Sequence, residues 1–267
     1  MSRILLFFVA LVGLAVAFAA RSGDASDDTE LWWDQTIAPW VMDLTTDGIV
    51  ADDFQCTQTG RLTGLGFWAS SPSWNPTLTQ IHLSIFENVG GGSSAGMPGA
   101  QLWSVDIDPS TVGGVVVYRE GITGPVSHWL DPSTGDVADT LWDRGFYVGI
   151  EFDEFLPQSQ LFLQQGSPDA PAIYWLGIQV EAEDPWAKFG WRGAPIEWNA
   201  HAMYAGWDED DEFDGLGDWS ELTEPINGGT FSMAFGLSGT AVIEPGALSV
   251  GLLGFASLLR RLWKKGS

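Results

Sequence analysis

The acidic stretch from Asp210 to Glu221 (DDEFDGLGDWSE) is the part of this sequence that comes nearest to a known chemical pattern. Calcium-binding loops place oxygen ligands at alternate positions around a glycine, so that the ligands converge on one hard cation. The residues at the corresponding positions are Asp210, Glu212, Asp214, Asp218 and Glu221, with Gly215 at the turn. The pattern makes Ca²⁺ the one cofactor that the sequence suggests.

Two departures weaken this calcium pattern. Glu212 is longer than the Asp or Asn usual at the third position, and Gly217 replaces an apolar residue. The flanking segments do not have the periodicity of helices, so an EF-hand is not expected. These departures favour a solvated acidic loop, and loose calcium binding by a hairpin loop is left as the alternative.

Tryptophan is the second feature with chemical potential, with 15 residues in a chain of 267. Exposed indole rings make flat platforms for sugar rings, whereas buried aromatic side chains fill cores. For any single tryptophan the core is the favoured interpretation, and a platform somewhere in the group stays open. The candidates for a glycan platform are Trp191, Trp198, Trp207 and Trp219.

Recognised catalytic motifs are absent from the sequence. It contains neither a G-x-S-x-G elbow nor an H-E-x-x-H helix, and His82, His128 and His201 are scattered singly. The acidic residues are too numerous for the sequence to single out the acid and base of a glycosidase. We therefore expect a protein without enzymatic activity. A secreted glycan-degrading enzyme and a calcium-dependent structural surface protein are the alternatives.

The charge balance excludes one class of partner. The chain has 35 acidic residues against 11 Lys and Arg, a formal net charge of −24. Such a surface repels the phosphates of nucleic acids, so we expect no nucleic-acid binding. The single cysteine, Cys56, cannot form an internal disulfide, and a small buried side chain is its favoured interpretation over a reactive thiol.

The N-terminus has the three parts of a secretory signal peptide. Arg3 provides the positive charge, Ile4 to Phe18 are apolar, and Ala17-Phe18-Ala19 supplies small residues for cleavage. The prediction is a signal peptide over 1–19, handled by the Sec translocon and signal peptidase. An uncleaved membrane helix is the alternative.

The C-terminus carries a second apolar segment. Gly246 to Leu259 contains no charged residue, and Arg260, Arg261, Lys264 and Lys265 follow it. At about 1.5 Å per residue, a helix from Gly246 to Trp263 would span roughly 27 Å, close to a hydrocarbon core of about 30 Å. The four cations place that end in the cytoplasm. The prediction is a transmembrane helix, with an amphipathic or buried terminal helix as the alternative.

This tail resembles the PEP-CTERM sorting signal of exported bacterial proteins. The shared features are the tripeptide Ile243-Glu244-Pro245, the apolar run and the basic end, although Ile243 stands where the family has Pro. The resemblance implies recognition by an exosortase-type processing enzyme. It also implies a path through the inner membrane to the envelope or extracellular matrix of a Gram-negative-type bacterium.

Between the two ends the sequence indicates strands. Alternation is clear at Ile81–Ile85, at Phe146–Phe152 and at Phe231–Leu237, while Val115–Tyr118 is a β-branched run and Ile173–Val180 is another apolar strand candidate. With 33 Gly and 14 Pro between these runs, the expected fold is all-β, an antiparallel β-sandwich of jelly-roll type. The predicted boundaries are a signal peptide over 1–19, a flexible lead-in over 20–44, the β-sandwich over 45–242 and the sorting anchor over 243–267.

The central region also resembles an uncharacterised all-β domain of secreted bacterial proteins. The resemblance covers most of residues 45–240 and rests on these segments: Ala51–Cys56, Leu62–Trp68, Ile81–Asn88, Pro98–Trp103, Phe189–Trp191, Trp198–Tyr204, Trp219–Leu222 and Phe231–Phe235. It implies an exported all-β protein and no particular activity. The combined expectation is an exported envelope or matrix protein with extracellular polysaccharide as a candidate partner.

Overall fold

The structure, a computed structural model, describes residues 30–35, 40–45, 48–72, 76–90, 96–122, 127–140, 144–184, 186–194, 199–206, 219–223, 228–230 and 232–242. Within these residues the regular elements are β-strands and one short 3₁₀ turn, Phe152–Glu154. The strands in chain order are β1 (Glu30–Asp34), β2 (Trp40–Asp43), β3 (Gly48–Cys56), β4 (Gly60–Ser71), β5 (Leu78–Val89), β6 (Met97–Ile107), β7 (Val115–Ile122), β8 (Ser127–Leu130), β9 (Val137–Thr140), β10 (Arg144–Glu151), β11 (Leu163–Gln164), β12 (Ala172–Ala182), β13 (Gly190–Ala194), β14 (Met203–Gly206), β15 (Ser220–Glu221), β16 (Ser232–Met233) and β17 (Phe235–Ala241).

The strands form two sheets. The smaller sheet has the order β15-β14-β3-β12-β5-β6, and the larger follows β1-β17-β4-β13-β2-β8-β9. In the larger sheet β10 and β11 also pair with β4, β7 pairs with β10, and β16 pairs with β13. The strand pairs with a defined residue register are antiparallel, except for β2 with β8, which are parallel. The prediction of an all-β, mainly antiparallel fold is confirmed.

A hydrophobic core takes side chains from both sheets. Phe54 of the smaller sheet meets Phe235 of the larger edge-on, with ring centroids 6.3 Å apart. Trp191 packs against Phe235 at 5.7 Å and against Phe67 at 6.3 Å. Each such aromatic pair contributes about 0.5–1.5 kcal/mol beyond the area it buries, so this cluster ties the sheets together.

Strand β10 shows how the sequence pattern sets the faces of the larger sheet. Phe146, Val148 and Ile150 are buried in the core, whereas the side chain of Tyr147 is half-buried and that of Glu151 is exposed. Successive side chains of a strand point to opposite faces, so the alternation in the sequence predicted this strand correctly. The same alternation places Gly149, between Val148 and Ile150, on the outer face.

The predicted flexible lead-in over 20–44 is wrong from residue 30 onward. Glu30–Asp34 and Trp40–Asp43 are strands of the larger sheet, and Met42 and Leu44 are fully buried. The acidic residues before Glu30 suggested a solvated segment, but β2 lies between β13 and β8 and is covered on both edges. The β-structure therefore already includes Glu30, well ahead of the predicted boundary at position 45.

Both predicted terminal helices lie outside the described residues. They cover 1–19 and 243–267, and the signal peptide, the sorting motif and the membrane anchor stay predictions. In the part of the chain that the structure describes, no helix is long and apolar enough to cross a membrane.

Candidate functional site

A row of three glycines runs across neighbouring strands on the outer face of the larger sheet. Gly66 of β4 pairs with Gly236 of β17 on one side and with Gly149 of β10 on the other. Three adjacent positions without side chains leave a depression, because the flanking rows on the same face carry larger groups. The glycine row forms the floor of an open cleft.

This cleft, here called the glycine cleft, has a volume of about 580 Å³. Its walls come from strands β1, β4, β7, β10 and β17 and from the turn before β7. The lining residues are Asp34, Leu65, Gly66, Trp68, Gly114, Val116, Tyr147, Gly149, Glu151, Gly236, Leu237 and Ser238. Ligand pockets usually measure about 300–1,000 Å³, so the cleft is large enough for a small oligosaccharide or a molecule of similar size.

Aromatic side chains form one wall of the glycine cleft. Trp68 and Tyr147 are opposite each other in the register, and their rings meet edge-on with centroids 5.4 Å apart. Tyr118 of β7 lies opposite Tyr147 on the other side and continues this row with 64% of its surface exposed. The row crosses three adjacent strands, and Trp68 and Tyr147 are its members that line the cleft.

Tyr147 lies across the floor of the cleft rather than upright. A Cβ atom placed on Gly66 would lie 2.6 Å from Cζ and 2.9 Å from Cε2 of this tyrosine, and would also meet its hydroxyl oxygen. A Cβ atom on Gly149 would lie 3.2 Å from Cε1 of the same ring. The absence of side chains at Gly66 and Gly149 therefore leaves room for the Tyr147 ring over the glycine row.

Polar groups lie at the opposite wall, four residues farther along β10. Glu151 pairs with Gly64, and a Cβ on Gly64 would lie 3.1 Å from Oε2 of Glu151 and would touch the Ser238 hydroxyl. The missing side chain at Gly64 thus lets a carboxylate and a hydroxyl meet over β4. Asp34 adds a second carboxylate to the lining of the cleft.

The carboxylates at this wall of the cleft favour the binding of protons and cations. Although the side chain of Glu151 is largely exposed, partial burial of its carboxyl raises its pKa, and the nearby Asp153 and Glu154 raise it further. The pKa of Tyr147 is also raised, first by burial and then by the charges of Glu151 and Asp34. An unpaired carboxylate among other carboxylates gains the most from a cation or a hydrogen-bond donor.

The two buried aspartates of β3 accept hydrogen bonds from other parts of the chain. Asp52 lies on the core side of β3, and its Oδ2 accepts the Met233 N–H at 2.6 Å. Asp53 points to the other face, where its carboxylate accepts hydrogen bonds from the Asn199 side chain and the Ala200 N–H. Buried carboxylates need such donors, and these bonds link β3 to two distant parts of the chain.

The predicted glycan platform is not confirmed at the tryptophans that the structure describes. Trp191 is fully buried, and its indole N–H donates to the Ala234 carbonyl at 2.8 Å, so the prediction is wrong for this residue. Trp219 is half-buried and packs edge-on against Phe86 with centroids 5.2 Å apart. Trp198 and Trp207 lie outside the described residues.

Of the predicted calcium ligands, the structure describes Glu221. Its carboxylate is exposed and lies 3.4 Å from Nε2 of His201. Asp210, Glu212, Asp214 and Asp218 lie outside the described residues. Where the chain is described, no three His, Cys, Asp or Glu side chains are arranged to hold a metal ion. Calcium binding by the acidic loop stays a prediction.

The histidines and the cysteine take ordinary structural positions. His82 lies between Asp106 at 2.7 Å and Glu181 at 3.1 Å, and His128 contacts Asp139 at 2.6 Å, all near the surface. Cys56 is buried, and its thiol donates to the Gln164 side chain at 2.8 Å. This burial confirms the interpretation of Cys56 as a small buried side chain, and it raises the pKa of the thiol to about 12.

A family model described as a domain of unknown function (DUF7901) matches residues 25–238. The chain belongs to the DUF7901 family. Its DUF7901 domain begins ahead of β1 and reaches into β17, so the family covers both sheets and the glycine cleft. Searches of curated proteins and of solved structures found no match.

The residues of the glycine cleft in this DUF7901 domain were not singled out from the sequence. A signal is present, because Gly66, Gly149 and Gly236 each lie between two apolar residues at an outward position of a strand. A strand glycine often marks close approach of another group. The sequence does not show that the three glycines are neighbours, because that depends on pairing between distant strands.

Proposed function

We propose that the protein is an exported envelope or matrix protein whose DUF7901 domain binds carbohydrate in the glycine cleft. The observation that carries this proposal is the aromatic pair of Trp68 and Tyr147 in the cleft lining, continued by Tyr118 on the next strand, with the Tyr147 ring lying over the glycine row. Sugar rings pack their C–H faces on such aromatic surfaces, and carboxylates and hydroxyls accept and donate hydrogen bonds to sugar hydroxyls. A jelly-roll-like β-sandwich is the scaffold that we assign to the two sheets.

The proposed localisation of the protein rests on the sequence of its two ends. The signal-peptide pattern supports export, and the tail from Ile243 supports sorting of the PEP-CTERM type by an exosortase. The mass of the protein isolated from its host tests this part. A mature chain that lacks both the first 19 or so residues and the tail supports processing, and an intact tail in the membrane fraction contradicts it.

A glycan-degrading enzyme is the second candidate, because Asp34 and Glu151 line the same cleft. The burial and neighbouring charges that raise the pKa of Glu151 suit a general acid. Against this candidate, Glu151 and Asp34 are both exposed and the cleft is open, whereas glycosidases hold their two carboxyls on either side of a bound glycosidic bond. Binding without hydrolysis is therefore the function that the geometry supports better.

The test is binding of the full-length protein to a panel of neutral and charged oligosaccharides, measured by calorimetry. We expect Trp68→Ala to weaken binding at least tenfold, because it removes one end of the aromatic row. Trp186→Ala is the matched control, since Trp186 is 88% exposed and is not part of the cleft lining. Equal binding by the Trp68 variant and the unmodified protein would refute the glycine cleft as the site.

The same samples distinguish binding from hydrolysis. Release of new reducing ends that is lost in a Glu151→Gln variant would favour the enzyme, whereas binding without such release would favour the lectin-like function. Thermal unfolding with and without Ca²⁺ tests the calcium-dependent surface protein, for which a raised midpoint in Ca²⁺ is required.

A further inference from the structure

The glycine cleft has a charge pattern that narrows its ligand class. It contains two carboxylates, Glu151 and Asp34, and its described lining residues include no Lys or Arg. The formal net charge of the whole chain is −24. An anionic polysaccharide would meet repulsion both at long range and inside the cleft.

Building on the carbohydrate site assigned above, the geometry points to amino sugars with a free, protonated amine as the ligands of the glycine cleft. The sugar ring packs on the exposed face of Tyr147 beside Trp68, and the ammonium group binds the carboxylate of Glu151. The hydroxyl of Ser238 beside Glu151 accepts or donates a further hydrogen bond.

The spacing of the two walls supports this arrangement. Tyr147 and Glu151 are four residues apart on β10, about 13 Å along an extended strand. The tyrosine ring shortens this distance, because it leans across Gly66 towards the carboxylate wall. One sugar ring can therefore lie over the glycine row with its ring face on the tyrosine and an amino substituent at the carboxylate.

The environment of Glu151 gives the ammonium group a specific partner. The neighbouring Asp153 and Glu154, together with burial, raise the pKa of this carboxyl, so an ionised Glu151 is destabilised in the free protein. A bound cation removes that penalty, and an N-acetylated amine does not. The cleft consequently discriminates between two sugars that differ by one acetyl group.

The experiment compares three oligosaccharides of equal length at pH 6: a glucosamine oligomer, an N-acetylglucosamine oligomer and a galacturonate oligomer. We expect the glucosamine oligomer to bind at least tenfold tighter than its N-acetylated form, and the galacturonate oligomer not to bind. Glu151→Gln should abolish the preference, because the affinity for the glucosamine oligomer falls to that for the N-acetylated oligomer. Asp169→Asn is the matched control, because it removes one negative charge from an exposed position outside the cleft lining.

Three other results of this experiment would overturn either the amino-sugar inference or the carbohydrate site. Equal affinity for the two glucosamine oligomers in the unmodified protein would overturn the amino-sugar inference and leave carbohydrate binding intact. Binding of an oligolysine of the same charge with equal affinity would show that the cleft recognises charge alone, and would also overturn it. Absence of binding by every sugar, in both the unmodified protein and Trp68→Ala, would refute the carbohydrate site itself.

Discussion

Gly66→Ala is the change that best tests how the glycine cleft is built. The added methyl group would lie 2.6 Å from Cζ and 2.9 Å from Cε2 of Tyr147, whereas unbonded carbons prefer about 3.5–4.0 Å. The φ angle of Gly66 is not in the left-handed region, so the backbone accepts alanine. The tyrosine ring is half-buried on the outer face and has room to move outward by about 1 Å or more.

Three contributions set the change in folding stability that we expect for Gly66→Ala. A tyrosine forced off its preferred rotamer costs about 0.5–1.5 kcal/mol. Loss of the edge-on contact with Trp68 costs another 0.5–1.5 kcal/mol, roughly. The lower entropy of an unfolded chain with alanine in place of glycine returns about 0.4–1 kcal/mol. The net expectation is a destabilisation of about 1–2 kcal/mol, or a fall in the unfolding midpoint of about 2–8 °C.

A double-mutant cycle with Tyr147→Ala isolates the contact. Without the tyrosine ring, Gly66→Ala should be neutral or stabilise the fold by up to about 1 kcal/mol. The coupling energy between the two positions should therefore be about 1–3 kcal/mol, measured by urea unfolding of all four proteins. Gly149→Ala is the control, because its methyl group would approach Cε1 at 3.2 Å and needs a smaller shift.

Additive effects of the two substitutions would refute the contact between position 66 and the Tyr147 ring. If Gly66→Ala costs the same with and without the tyrosine, within about 0.5 kcal/mol, then Tyr147 does not lie over the glycine row. The shape of the cleft floor would then need another explanation, and the aromatic platform would lose its main support.

Three further predictions concern a carboxylate, a thiol and a buried glycine. The pKa of Glu151 is raised in the folded protein, so its ionised form opposes folding. Glu151→Gln should therefore raise the temperature of the unfolding midpoint at pH 7. Thermal scans over a pH series should show that this gain disappears below about pH 4.3, where the carboxyl is protonated in both states. Cys56, with a pKa raised to about 12, should resist thiol reagents in the folded protein at neutral pH and react after denaturation; rapid labelling without denaturant would contradict its burial. Gly190→Ala should lower the free energy of unfolding by about 3 kcal/mol, more than Gly66→Ala does. The added methyl group would meet the Met42 carbonyl and Cζ3 of Trp129 at 2.7 Å each in a buried site. An unchanged midpoint in urea would contradict this packing.

The sequence predicted the fold class well because local alternation determines which residues a strand buries. On β10 the apolar residues Phe146, Val148 and Ile150 all face the core, as the alternation requires. Of the predicted strand over Phe231–Leu237 the structure describes residues 232–237, and these are less regular than β10. It is interrupted at Ala234, whose N–H donates to the Arg192 carbonyl between β16 and β17.

The candidate site could not be predicted in the same way. The cleft depends on the register of three strands, which places Gly66 between Gly149 and Gly236, and sequence alone does not set the pairing of distant segments. The tryptophans illustrate the same limit. Trp191 is one of the candidates for a glycan platform, but its pairing with Met42 and Ala69 directs it into the core. Trp68, which lines the cleft, has no comparable signal.

The pairing of β17 with β4 has a consequence for how the protein folds. Phe235 pairs with Phe67, and Arg192 with Val41, so strands from the two ends of the domain are neighbours in the larger sheet. Contacts between segments so far apart in the chain form slowly, typically over milliseconds to seconds in all-β proteins. The glycine row is incomplete until β17 has joined the sheet, so a chain whose last strand is not yet synthesised has no complete cleft. Any molecule that needs all three glycine positions can therefore bind only after the last strand of the larger sheet has paired.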